Sequence, residues 1–456
     1  MPAVPHFAFY GDDFTGSTDV MEALARAGLR TALFLAPPSR AQLRRFPGLR
    51  AFGIAGTSRS MSPREMGRAL PPVFRALRES GAPLVHYKMC STFDSSPAIG
   101  SVGRAIDLGQ RVFQSPLVPL LVGAPLLGRY CVFGNLFARS GLDSEPARLD
   151  RHPTMSRHPI TPMDEADLRA HLAPQTKKRI GLFDVLKLEA PDYRARFAKV
   201  RDEIVLFDVL NDSHLPRLGE LIASRVPPGG PLFCVGSSGI EYALTAHWRK
   251  TGELSAAPPT PNLSAARQLV CVSGSCSPVT ARQIAWAERN GFSVFALDTA
   301  ALIRPRTARA AMDAALSAAA PQVRSGKNVI FHTARGPDDT RLAATRAALK
   351  TARKRSADSL GTVLGRLLRA ALDFAPQARA AVTGGDTSAF VARALGIEAL
   401  EFAAPVAPGS PLCRVHSADT AVHGREIVFK GGQVGHDDFF GTLLHGSLHK
   451  PRTKNT

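Results

Sequence analysis

Residues 7–19 read FAFYGDDFTGSTD. The apolar run FAFY predicts a buried strand, the small residues after it a turn, and Val20-Met-Glu-Ala-Leu-Ala-Arg-Ala27 a helix. Two adjacent carboxylates, Asp12 and Asp13, therefore stand where a strand passes into a helix. In open α/β sheets, ligands bind outside this carboxyl edge. Hydroxyls of Thr15, Ser17 and Thr18 and the amides of the first helical turn surround the same point. Paired acids in such a place suit a sugar hydroxyl, a metal, or a proton taken from a nucleophile. The plainer alternative is that Asp13 or Thr15 caps the helix and Asp12 is solvated.

Outward from this stretch, short apolar runs alternate with helical patterns. The runs at 29–37, 49–59, 83–90, 116–125, 129–135, 203–210 and 231–239 read as strands, with a helix over 63–80. A proline-rich segment, Ser255-Ala-Ala-Pro-Pro-Thr-Pro-Asn-Leu-Ser264, breaks both helix and strand. Beyond it a second series begins, with strands at 267–272, 292–297, 328–333, 380–385 and 426–432. The alternation predicts an α/β protein of two doubly wound domains with mostly parallel sheets and a cleft between them. The expected boundaries are 1–254 for the first domain, 255–266 for the linker, 267–446 for the second domain and 447–456 for a flexible tail.

The chain has 456 residues, enough for two or three domains, and 45% of them are hydrophobic. No apolar run reaches the length of a membrane span, and no secretory signal stands at the N-terminus. The six cysteines are scattered and form no CxxC pair, which fits a reduced cytoplasm. The net charge of +19 invites a nucleic-acid partner. However, the excess is mainly arginine spread over Ala/Arg-rich helices, without interleaved aromatics or a zinc-finger pattern. An anionic small substrate accounts for a basic chain equally well. The oligomeric state is left open, with a homodimer allowed.

Five further stretches carry chemistry. Lys88 to Arg104 reads KMCSTFDSSPAIGSVGR and is dense in hydroxyls, including Ser91 and Thr92, with Asp94 between them and the helix that opens at 100–103. Lys88 and Arg104 flank it as cations, a combination that suits a carboxylate or a phosphate-bearing polyol. The bland alternative is a polar loop with Arg104 in a structural ion pair. Residues 151–169 read RHPTMSRHPITPMDEADLR. Here Thr161 is expected to cap a helix starting at Pro162, with Asp164, Glu165 and Asp167 at its positive end. A structural crossover is favoured there over a substrate-closing loop, and a metal role for His152 and His158 is disfavoured. In the second half, SGSCSPVT (273–280), TGGDTS (383–388) and KGGQVG (430–435) each follow a strand and precede a helix. Three such loops on one sheet edge make a cradle for nucleotide phosphates. None is a Walker A loop or a GxGxxG fingerprint, since Gly326-Lys327 is followed by Asn328.

These motifs together resemble the four-carbon acid sugar kinase family, from about Phe7 to Phe440. The resemblance implies an N-terminal domain that holds an acid sugar and a C-terminal domain that holds ATP. It implies phosphorylation of the terminal hydroxyl of a 3-oxo-tetronate. On that basis Ser273 or Ser275, Gly384, Gly385, Asp386, Thr387, and Gly431 or Gly432 line ATP. Asp12, Asp13, Thr15, Lys88, Ser91, Thr92, Asp94 and Arg104 face the sugar acid. One of the paired aspartates takes the proton of the attacking hydroxyl, Lys88 or Arg104 grips the carboxylate, and Mg²⁺ assists. Asp386 is the rival base. The segment 131–153 and the motif's opening YGDDFTGSTD mark a subgroup, for which a branched acid such as 3-oxo-isoapionate is the alternative substrate. Two readings from other classes are a non-catalytic sugar-acid or nucleotide sensor and a lyase using Lys88 as a Schiff base.

Overall fold

A computed structural model describes residues 5–140, 144–158, 160–352 and 356–446, the side chains of 356–358 and 386 excepted. The expected tail at 447–456 lies outside the described residues. The chain divides into two compact units, Met1–Pro258 and Pro259–Thr456.

In the first unit, FAFYG forms β1 (Phe7–Gly11), every residue of which is buried. The other strands of its sheet are β2 (Thr31–Phe34), β3 (Ala51–Ala55), β4 (Leu84–Lys88), β5 (Val118–Leu121), β9 (Ile180–Phe183), β10 (Ile204–Phe207) and β11 (Leu232–Gly236). Between β5 and β9 come β6 (Arg129–Val132), β7 (Asn135–Ala138) and β8 (Ala147–Arg148). The sheet order is β2-β3-β1-β4-β11-β5-β10-β9, with all these neighbours parallel. β1 lies between β3 and β4, so the order reverses beside it. The carboxyl end of β1, with Asp12, thus occupies the crevice that such a switch point creates. Tyr10, Phe74, Tyr87, Phe113 and Phe233 pack beneath this edge, with Tyr10 stacked on Tyr87 at 5.7 Å and Phe113 on Phe233 at 5.0 Å. Aromatic pairs of this kind stabilise a core beyond the area they bury.

Three local expectations are corrected. The helix after β1 starts at Phe14, not after the motif, and runs Phe14–Arg26. The reason is that Asp13 is its N-cap and leaves FTGSTD inside the first turns. The run 129–135 joins no parallel sheet. It forms β6 and the turn into β7, in a separate antiparallel sheet of order β6-β7-β8. Its turn residues Phe133 and Gly134 both have positive φ, the mark of a tight hairpin, and their amides donate to Asp208 at 2.6 and 2.9 Å. Finally, no helix begins at Pro162. Thr161 instead meets His158 Nδ1 at 2.9 Å, and the helix is Leu168–Leu172 with Asp167 as its cap.

The second unit contains β12 (Leu269–Ser273), β13 (Ser293–Ala296), β14 (Val329–His332), β15 (Arg379–Thr383), β16 (Ile397–Ala407), β17 (Ser410–Ser417) and β18 (Glu426–Lys430). They are ordered β13-β14-β12-β15-β18-β17-β16. The first five are parallel, and β17 and β16 are antiparallel additions. The sequence reading names no strand between 385 and 426. Pro405, Pro408 and Pro411 mask this hairpin, because proline normally argues against a strand. Leu269, Cys271, Ile284, Ile330, Val428, Phe439, Phe440 and Leu443 form its core. Among the described residues, no helix is long and apolar enough to cross a membrane.

Candidate active site

At the end of β1 the chain turns so that the Asp12 amide donates to the Lys88 carbonyl, and the Asp12 carbonyl accepts from the Arg59 amide. Those two bonds bring together the ends of β1 and β4 and the turn Ser58–Ser60 that follows β3. The Arg59 guanidinium then grips both acids. Its Nη2 and Nε reach Asp12 at 2.9 and 3.3 Å, and its Nη1 reaches Asp13 at 3.0 Å. This is the planar fork that only arginine offers. Asp13 also accepts from Thr15 Oγ1 and the Gly16 amide, each at 2.8 Å. Asp12 has no such helpers and is buried, at 3% exposure.

The two neighbours therefore titrate apart. Burial pushes the Asp12 carboxyl up to about 6; Arg59 offsets this only in part, and the Asp13 charge adds to it. Burial also pushes Asp13 upward, but Arg59, Lys88, Thr15 and Gly16 outweigh it and hold the carboxyl below its usual range. The capping alternative is thus true of Asp13, whereas Asp12 is not solvated. An acid poised near 6 at a strand end is suited to accept a proton at neutral pH.

Lys88 is buried beside this pair. Its Nζ lies 3.5 Å from Asp19, which also accepts from Ser238 Oγ. Burial disfavours the ammonium, but Asp19 and Asp13 outweigh that and raise its pKa. A Schiff-base lysine needs the opposite shift. Thr92 Oγ1 donates to Asp94 at 2.7 Å, and Ser91 is half-buried in the same loop. Gln175 pins the loop by accepting from Ser95, Ser101 and the Gly103 amide. His171 Nε2 also meets the Ser95 carbonyl at 3.0 Å, so Gln175 and His171 brace the loop. Arg104 does not join the acids. It lines a cleft of about 760 Å³ with Arg64, Asp107, Lys177, Lys178 and Glu203, a lining that includes neither acid.

Two residues of this site were missed in the sequence. Arg59 is the last residue of the run 49–59, which reads as a strand. Arg129, at the start of β6, places its charge near Cys90 and Asp94. No local signal distinguishes either from the many other arginines. Asp19 stood inside the motif, but its pairing with Lys88 depends on β4.

In the second unit the three small-residue loops converge. The Gly274 amide donates to Thr383 and the Gly384 amide to Lys430, each at 2.8 Å, so the ends of β12, β15 and β18 are laced together. A Cβ on Gly384, whose φ is +125°, would lie 3.3 Å from the Ser275 amide nitrogen, and one on Gly432 would lie 2.7 Å from Ser275 Oγ. Glycine permits this approach. Gly385 and Thr387 begin the helix Gly385–Ala394. The Asp386 side chain lies outside the described residues. Among the described residues, the amides of Ser275, Gly432 and Gln433 donate to nothing within the chain. The Ser273 and Thr383 hydroxyls are buried without partners. Open amides and a helix start at one sheet edge form an anion-binding concavity.

Residues 7–244 match the model of a sugar-binding N-terminal domain, and residues 270–440 that of a nucleotide-binding C-terminal domain. The chain is 47% identical to the 3-oxo-isoapionate kinase of Paraburkholderia graminis, over 98% of this chain and 96% of the relative. It is 29% identical to the 3-oxo-tetronate kinase of Pseudomonas savastanoi pv. phaseolicola, over 97% of each chain. To that of Cupriavidus necator it is 30% identical, over 96% of each. A crystal structure from Salmonella typhimurium LT2 shares the fold, with a TM-score of 0.75, 24% identity, and coverage of 95% of this chain and 97% of that one.

Proposed function

The chain belongs to the four-carbon acid sugar kinase family and is an ATP-dependent kinase of acid sugars, and from that premise we propose that its acceptor is the branched acid 3-oxo-isoapionate. The markedly higher identity to the 3-oxo-isoapionate kinase than to the 3-oxo-tetronate kinases supports this choice. The first unit holds the acid, and the second holds ATP.

The buried Asp12, gripped by Arg59 and poised near 6, carries the mechanism. The acceptor hydroxyl oxygen forms a bond to the γ-phosphorus, and its proton passes to the Asp12 carboxylate. The bond from the γ-phosphorus to the β,γ-bridging oxygen breaks, and ADP leaves with that electron pair. Asp13 orients Arg59 and caps the helix. Lys88, already committed to Asp19, positions the strand end, and the acid's carboxylate falls to Arg59 and Arg129. The amides of Ser275, Gly432 and Gln433 and the start of helix Gly385–Ala394 receive the phosphates.

Among the described residues, no three His, Cys, Asp or Glu stand together as a metal cage. Mg²⁺ needs none, because it binds through phosphate oxygens and few protein oxygens. The buried, unpartnered hydroxyls of Ser273 and Thr383 fit that role. When bound, the ion neutralises phosphate charge.

The test is ADP release from the full chain with a panel of four- and five-carbon oxo-acids. We expect the largest kcat/KM with 3-oxo-isoapionate. A larger value with a 3-oxo-tetronate would reassign the acceptor.

A further inference from the structure

The third glycine loop is wrapped around a buried cation. Lys430, the last residue of β18, is fully buried. Its Nζ donates to the carbonyls of Gly431 at 2.8 Å and Val434 at 3.1 Å, and lies 3.5 Å from Thr280 Oγ1 and 5.4 Å from the Phe439 ring centroid. Two residues of helix Pro278–Arg289 complete the arrangement. Thr280 Oγ1 donates to the Gly432 carbonyl, and Gln283 Nε2 donates to the carbonyls of Val434, Gly435 and His436. The carbonyls of residues 431, 432, 434, 435 and 436 thus all accept from these three side chains. A loop whose carbonyls are turned toward an internal donor presents its amides to the other side. Of the amides of residues 431–436 only that of Val434 has an acceptor, the Gly431 carbonyl, so the Gly432 and Gln433 amides are among the unengaged ones.

We propose that Lys430 is a positioning residue for nucleotide binding: its ammonium holds the carbonyls of the 431–436 loop inward, so that the loop amides face a phosphate group, and it lends that phosphate its uncompensated charge. This inference rests on the reading that the cradle holds ATP. The groups facing Lys430 are the uncharged Thr280 and Gln283 of helix Pro278–Arg289, the Phe439 ring of helix Phe439–His445, and loop carbonyls. No charged neighbour contributes to its titration. Burial alone lowers the lysine pKa to about 7. Removing a charge from water costs free energy unless an opposite charge is near, and a nucleotide phosphate would supply one.

The sign follows from linkage. A phosphate favours the ammonium and raises the Lys430 pKa, so nucleotide binding takes up a proton above about pH 7, and affinity falls as pH rises. Calorimetric titration of the full chain with ADP, in buffers of different ionisation enthalpy, reads both quantities. The window from about pH 7.5 to 8.5 lies above the secondary phosphate ionisation, and the Cys276 thiol in the first loop is raised above its ordinary value of 9.0. For the wild type we expect Kd to rise roughly fivefold to tenfold across that window, with proton uptake. Lys430→Met should bind ADP at least about tenfold more weakly at pH 7.5 and lose both the pH slope and the proton uptake. Exchanging a buried charge without a counter-ion for an apolar side chain of similar length is tolerated, so this variant should fold. Gln283→Leu, which frees carbonyls but leaves the ammonium, should weaken binding and keep the slope. Wild-type affinity and slope in Lys430→Met, or a slope lost in Gln283→Leu but kept in Lys430→Met, would overturn the inference. If the wild type bound no ADP, the cradle reading itself would fail instead.

Discussion

The two candidate sites solve opposite electrostatic problems. Around Asp12 the charges are largely paired, Arg59 with both acids and Lys88 with Asp19, while Arg129 bonds to backbone carbonyls and keeps its charge for the acid's carboxylate. Around Lys430 no opposite charge stands, and the partners of its ammonium are the Gly431 and Val434 carbonyls and the Thr280 hydroxyl. A neutralised cluster suits a small acid whose hydroxyl must lose a proton, because the base is held in place before the substrate arrives. An uncompensated cation with free amides suits a polyanion that brings its own charge. Each half therefore carries the electrostatic complement of the substrate assigned to it.

The strongest way to break this contrast is at the first site. Asp12→Asn should lower kcat by roughly two to four orders of magnitude, as removal of a general base does. Asp13→Asn retains a capping side chain and should lower kcat by about tenfold. Rates of ADP release for the two variants decide the roles, and a larger loss in Asp13→Asn would exchange them. Next in size, Arg59→Met leaves two acids without their cation. Breaking one side of a largely buried pair costs about 3 kcal/mol, to be read as a lower midpoint in urea unfolding. An unchanged midpoint would mean that water already screens the cluster.

A smaller effect is expected in the cradle. Gly384→Ala places a Cβ where φ is +125° and the Ser275 amide nitrogen is 3.3 Å away. We expect KM for ATP to rise about tenfold while KM for the acid stays constant, a split that tests whether the sites divide the substrates. The acid limb of kcat/KM for the acid should fall below about pH 6, because a base must be deprotonated and burial holds Asp12 there. The stability signs of the pair differ. Asp12, raised from 3.8, is destabilising above about 6, and that penalty is relieved as pH falls toward its unfolded value. Asp13, lowered from 3.8, contributes stability above that value and loses it as pH falls through its folded pKa. The smallest effect is Arg104→Ala, which should change KM for the acid by less than about threefold, since the cleft that Arg104 lines includes neither acid.

Much of this protein was legible along the chain because its elements announce themselves locally. FAFYG, LVCVS and RAAVT are short apolar runs closed by small polar residues, and all three are buried parallel strands. The failures were equally physical. The β16–β17 hairpin was hidden by its three prolines, and Asp13 began its helix at Phe14, nearly two turns before the Val20 that the apolar period suggested. Thr161 spent its hydroxyl on His158 rather than on a helix.

The sequence alone determined which acids and which glycine loops stand at strand ends, because strand, turn and helix signals are written within a dozen residues of one another. Only the tertiary structure decided how they act. Arg59 is 47 positions from Asp12 along the chain, and Gln283 about 150 from the carbonyls it holds. A side chain's charge is visible in a sequence, but its pairing, burial and hence its protonation depend on neighbours that only folding brings near.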